Sequence, residues 1–178
     1  RAARDWADSL KKKKDEKLDS LDRKFVKNRD PRDQTALRDL RIMYDEFQKD
    51  VVGGKISRNV TASMLDQVDQ IFDACVHELE QAHSIWQTMN SKISDTLKSQ
   101  LNKQREEIIV AVQESVSNMA LVINEIRSIR HQSDANELKS LGRKLSRHLE
   151  TAKRVEERIS KFGSEDGLDR FDKYLSKE

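Results

Sequence analysis

The longest regular pattern in the chain is VDQIFDACVHELEQAHSIWQTMNSKISDTL, residues 68–97. Its apolar positions alternate steps of four and three, and they are Val68, Phe72, Cys75, Leu79, Ala82, Trp86, Met89 and Ile93. This alternation is the heptad repeat of a helix whose apolar seam packs against another helix. No glycine or proline lies between Gly54 and Gly142 to end that helix. The pattern therefore predicts one very long central helix over residues 60–131.

The tract from Thr88 to Thr96, TMNSKISDT, offers the alternative of a break near Asn90. Its serine, threonine, asparagine and aspartate residues favour caps and turns over helix interiors. A break would give a compact bundle of four to five helices. The heptad phase continues through Met89 and Ile93, so we expect the continuous helix and an elongated antiparallel bundle or coiled coil.

The rest of the sequence also predicts helices. Asp30-Pro31 is a typical helix start and Gly53-Gly54 a typical helix end. Only 6 of the 178 residues are glycine or proline, too few for the turns of a sheet protein, and 37% are charged. We expect a single all-α domain over residues 1–178. Its predicted helices cover residues 2–28, 31–52, 60–131, 134–162 and a short 166–176.

The charge balance and the cysteine content exclude several classes of protein. A net charge of +2 is too balanced for a nucleic-acid-binding protein of this size. The lone Cys75 has no partner for a disulfide within the chain, which favours a reducing, cytoplasmic compartment. The first residue is Arg1 and not methionine, so membrane association through a segment upstream of Arg1 is the alternative.

The residues that could support chemistry have simpler structural interpretations. Glu80 and His83 have the E-x-x-H spacing of di-iron bundles, but no second copy of that motif is present. Cys75 occupies a seam position, where a thiol behaves as a small apolar group. His148 borders the seam of the last helix, and Asn59 begins an N-x-T glycosylation pattern in an expected loop. We expect no enzyme activity, no cofactor and no metal.

Residues 108–129 carry more apolar positions than one seam needs. The surplus positions are Ile109, Val110, Leu121 and Ile123. In an elongated molecule only the last long helix covers this part of the central helix, and two helices bury such a broad stripe poorly. We therefore expect a protein to bind here, either a second copy or another helical protein. The predicted function is a non-enzymatic scaffold or interaction module that self-associates.

The basic cluster Lys11, Lys12, Lys13 and Lys14 suggests an alternative function. Such a cluster binds anionic lipid head groups when it lies beside a membrane. The chain would then be the cytosolic, membrane-proximal domain of an anchored protein. Asp15 and Glu16 follow directly and favour an ordinary solvated helix face instead.

Overall fold

A computed structural model of the protein describes residues 2–57, 59–129 and 135–163, with side chains described for residues 11–57, 59–129 and 135–158. Within these ranges every regular element is an α-helix, which confirms the all-α class. The helices are α1 (Ala2–Asn28), α2 (Pro31–Val52), α3 (Ala62–Met89), α4 (Asp95–Ser128) and α5 (Ala135–Gly163). The first two match the predicted bounds. Helix α5 is described from Ala135 and extends one residue past the predicted end at 162.

The prediction of one central helix over residues 60–131 is wrong. Asn90 caps the end of α3, and Ser94 has extended backbone angles that a helix cannot continue through. The Ser94 hydroxyl accepts a hydrogen bond from the backbone N–H of Leu97 and so starts α4. Met89 and Ile93, which continue the heptad phase across this tract, are only partly buried, and Ile93 lies outside both helices. The structure thus has the break that the alternative interpretation places near Asn90.

Short polar connections define the other helix ends. Asp30 caps α2 by accepting a hydrogen bond from the Arg32 backbone N–H, and Pro31 occupies the first turn, where no donor is needed. Thr61 caps α3 in the same way through Met64 N–H. Gly54 has a φ of 68°, a left-handed conformation that glycine adopts without steric cost.

Pairs of ion pairs fix several helix directions: α1 runs parallel to α3, α2 runs parallel to α4, and α5 runs antiparallel to α4. Helix α3 contacts each of the other four, and α4 contacts α2, α3 and α5. The core is one apolar cluster that includes Phe25 of α1, Phe47 of α2, Phe72 of α3, Ile126 of α4 and Leu145 of α5. This arrangement makes α3 the centre of the bundle and leaves one face of α4 toward solvent.

Two further expectations concern the ends of the chain and membranes. The predicted short helix over residues 166–176 lies outside the described residues. None of the described helices combines the length and the apolar character needed to cross a bilayer.

Candidate interaction surface

A buried charged cluster joins the turn between α1 and α2 to the start of α4. The Arg105 guanidinium donates to the carboxylates of Asp30 and Asp33, each at 2.8 Å. Arg32 donates to both oxygens of Glu106 at 2.6 Å and also to Asp30. Arg105 and Asp33 are buried, so these bonds compensate charges that water cannot reach.

The pKa shifts in this cluster indicate a structural role. The hydrogen bonds from Arg32 hold the pKa of Asp30 and the pKa of Glu106 below their usual range. Burial raises the pKa of Asp33, and its bonds from Arg105 and Asn28 oppose that rise. Every carboxylate is matched with a guanidinium, so we assign the cluster to fixing the α1–α2 turn on α4.

Glu78 is the second buried charged feature and has the opposite character. It is fully buried on α3, and neither carboxylate oxygen has a hydrogen-bond partner. Burial, followed by the nearby Glu156 carboxylate of α5, raises the pKa of Glu78 to about 8. Cys75, one turn earlier, is also fully buried, and burial raises the pKa of its thiol to about 12. The thiol is therefore not an activated nucleophile.

The basic cluster of α1 divides into two parts. Lys11, Lys12 and Lys13 are exposed. Lys14 instead places its Nζ 4.4 Å from the ring centroid of Tyr44 and 4.5 Å from that of Phe72. It also forms a 3.2 Å ion pair with Asp73. Lys14 thus stabilises the junction of α1, α2 and α3, and three lysines are left to contact another surface.

The remaining motif residues have ordinary structural contacts. Glu80 pairs with Lys17, and the buried His83 ring stacks on Trp86. His148 lies beside Arg147, and burial and that cation lower its pKa. Asn59 lies exposed in the connection between α2 and α3. Across the described part of the chain, no group of three or more His, Cys, Asp or Glu residues is arranged to hold a metal ion.

The outward face of α4 exposes apolar side chains to solvent. Val110 and Leu121 remain 49% and 64% exposed on it, although each is apolar. Ile109 and Ile123 are only 1% and 3% exposed, because the neighbouring helices cover them. Of the four positions expected to bind a partner, the structure therefore leaves two accessible. They lie eleven residues apart, close to three helical turns, and so share one face.

This face carries very little charge. From Ile108 to Asn124 the sequence contains a single charged residue, Glu114, in a chain that is 37% charged. The exposed positions on α4 between these ends are Val110, Gln113, Glu114, Ser117, Leu121 and Asn124. A solvent-exposed helix normally carries charged residues on its outer face. We therefore define the α4 face as Val110, Glu114, Ser117 and Leu121.

Helices α2 and α5 flank the α4 face on opposite sides. On one side, Glu106 and Arg127 of α4 form ion pairs with α2. On the other side, Glu107 and Glu125 form ion pairs with α5. Between α4 and α5 lies an open groove of about 480 Å³, lined in part by Leu121, Lys144 and Arg147. The α4 face is thus continuous with a groove whose α5 side is basic.

Comparison with protein-family models, with curated proteins and with solved structures gave no match to this chain. The assignment of a function therefore depends on the chemistry of its own surfaces.

Periodicity alone did not reveal the buried charges. Arg105 lies four residues after Leu101 and three before Ile108, so it occupies a stripe position. A charged residue at such a position is a signal for a buried ion pair, and the acidic cap at Asp30 supplies the partner. Glu78 directly precedes the seam residue Leu79 and gives no comparable signal.

Proposed function

We propose that this chain is a non-enzymatic helical interaction module that self-associates through the α4 face. The observation that supports this proposal is the exposure of Val110 and Leu121 on a helix face with a single charge. An apolar, weakly charged helix face is a typical surface for docking another helix. A cytoplasmic location, favoured by the single buried thiol, is part of the same proposal.

The proposal is tested by the concentration dependence of molecular mass, measured by sedimentation equilibrium on the full chain. We expect the wild type to exceed the monomer mass as its concentration rises. The double variant V110S/L121S should stay monomeric over the same range, because it removes the apolar contact and leaves the core intact.

The matched control is V26S/V52S, which changes two exposed apolar side chains on α1 and α2. It should associate like the wild type. The proposal fails if the wild type stays monomeric at every concentration, or if the two double variants have the same effect.

The exposed Lys11, Lys12 and Lys13 favour a second candidate, a domain held against an anionic membrane. Co-sedimentation with vesicles that contain phosphatidylserine tests it. Binding should require the anionic lipid and should be lost in K11Q/K12Q/K13Q. Binding that persists in this variant would exclude the lysine cluster as the contact.

A further inference from the structure

The registers of α2 and α5 on α4 bring opposite charges to the same level on either side of the α4 face. Arg32 pairs with Glu106 and Asp50 pairs with Arg127, so α2 runs parallel to α4. The Lys144–Glu125 and Arg158–Glu107 pairs show that α5 runs antiparallel to α4.

These registers place two acidic residues of α2 opposite two arginines of α5. Interpolating between the ion pairs puts Glu46 and Arg147 both level with about Leu121 of α4. The same interpolation puts Asp39 level with about Glu114 and Arg154 level with about Val112, roughly 3 Å apart along the helix axis. Each exposed turn of the α4 face therefore has an acidic group on its α2 side and an arginine on its α5 side.

These four residues have their charges accessible. All four are exposed. Glu46 has one contact, at 3.8 Å to Arg127, and Arg154 pairs with Glu150 of its own helix. In the described structure no ion pair involves Asp39 or Arg147. The charges that flank the α4 face are therefore available to a partner.

We infer that the partner is a second copy of this chain, bound with its α4 parallel to this one across a two-fold axis along the helices. This inference rests on the proposed function. Rotation about a two-fold axis parallel to α4 leaves each residue at the same height along the helix. It also places the α2 side of one copy opposite the α5 side of the other. It places Val110 on Val110 and Leu121 on Leu121 of the second copy, and it places α5 of each copy against α2 of the other. Arg147 then meets Glu46 of the second copy, and Arg154 meets Asp39.

The antiparallel alternative has the opposite electrostatics. A two-fold axis perpendicular to α4 keeps α5 of each copy against α5 of the other. Arg147 of one copy would then face Arg154 of the other. Charges of like sign at an interface disfavour that arrangement. The parallel dimer brings the two Glu114 side chains together, and we expect E114Q to strengthen it.

Disulfide trapping on the full chain tests the orientation. The single variants V110C and L121C are oxidised separately and then as an equimolar mixture. The native Cys75 is buried and does not interfere. The parallel dimer predicts that each variant forms a covalent homodimer by itself. Cross-links that form only between V110C and L121C in the mixture would show an antiparallel pair and overturn the inference.

Charge reversal tests the flanking contacts. We expect E46R and R147E each to weaken dimerisation by about tenfold or more, because each reverses one partner in both symmetric contacts. The combined variant E46R/R147E should recover wild-type affinity. The control K139E makes the same charge change on α5, near the side where Ser146 contacts Gln67 of α3, and should have little effect.

The outcomes separate this inference from the proposed function. If V110S/L121S abolishes association while the charge reversals and the combined variant behave like the wild type, the module still self-associates and the parallel arrangement is wrong. If the wild type never associates, both proposals fail. Recovery in the combined variant together with homodimeric cross-links supports both.

Discussion

Replacing Glu78 with glutamine should change how the stability of this protein depends on pH. Glu78 is fully buried, with both carboxylate oxygens unpartnered, so its neutral form is favoured in the folded state. Its pKa rises from 4.5 to about 8 on folding. Between these values the folded chain holds a proton that the unfolded chain releases. The stabilising contribution is therefore complete at low pH and is lost as pH rises toward 8.

The size of the effect follows from that shift in pKa. A full titration across this shift amounts to at most about 5 kcal/mol, at about 1.4 kcal/mol per pKa unit. Between pH 5 and pH 7 the free energy of unfolding should fall by about 2.5 kcal/mol because of Glu78 alone. An amide of the same shape does not titrate, so E78Q should lack this component.

The assay is urea unfolding of the wild type and E78Q at several pH values from 5 to 8, followed by circular dichroism. The difference between the two proteins isolates Glu78, because His83 and His148, whose pKa values are lowered by burial, are present in both. E16Q controls for the loss of one exposed carboxylate, on α1 and away from the α4 face, and should follow the wild type. If the free energies of unfolding of the wild type and E78Q differ by the same amount at every pH in this range, Glu78 does not titrate as proposed. E156Q should give an intermediate slope, because it removes the neighbouring negative charge.

Three further predictions concern stability, each measured by urea unfolding at neutral pH. R105A should cost about 3–5 kcal/mol, because it leaves Asp30 and Asp33 without their buried cation. R158A removes an exposed ion pair and should cost less than about 1 kcal/mol, so equal losses would contradict this view of the cluster. K14Q should cost about 1–2 kcal/mol through the lost contacts with the Tyr44 and Phe72 rings, and a neutral result would show that they contribute nothing. S94A should cost about 1 kcal/mol by removing the cap of α4, whereas S99A, at an exposed position within that helix, should be nearly neutral.

Local chemistry predicts helix ends well where one residue determines them. Pro31 and the two glycines at 53 and 54 each restrict or release the backbone, and α2 has the predicted bounds. The break at Asn90 depends instead on how weak helix propensities compare with the apolar surface that the two helices bury. Helix propensities in the tract from Thr88 to Thr96 differ by only tenths of a kcal/mol per residue. The outcome depends on how much apolar surface α3 and α4 bury when they fold back, which the heptad phase does not reveal.

Helical spacing is equally insufficient to predict which residues of the α4 face are exposed. Helical spacing identifies a broad stripe on α4, but it does not show which edge the other helices cover. Ile109 and Val110 are adjacent in sequence, yet one is buried and the other is half exposed. The positions of α2 and α5, fixed by ion pairs between residues more than seventy positions apart or across a turn, decide the difference.

The buried Cys75 also gives the protein an internal reporter of its own opening. Its thiol is fully buried in the apolar core formed by the helices. The Ser115 hydroxyl of α4 is close enough to oppose part of the rise that burial causes in the pKa of this thiol. A thiol reagent can reach it only when these helices separate. The rate of alkylation in the native state therefore measures how often the centre of the bundle opens, with no label added. Dimers that form through the α4 face should be alkylated at Cys75 at the same rate as monomers. A slower rate in the dimer would show that association also slows the separation of α3 from α4.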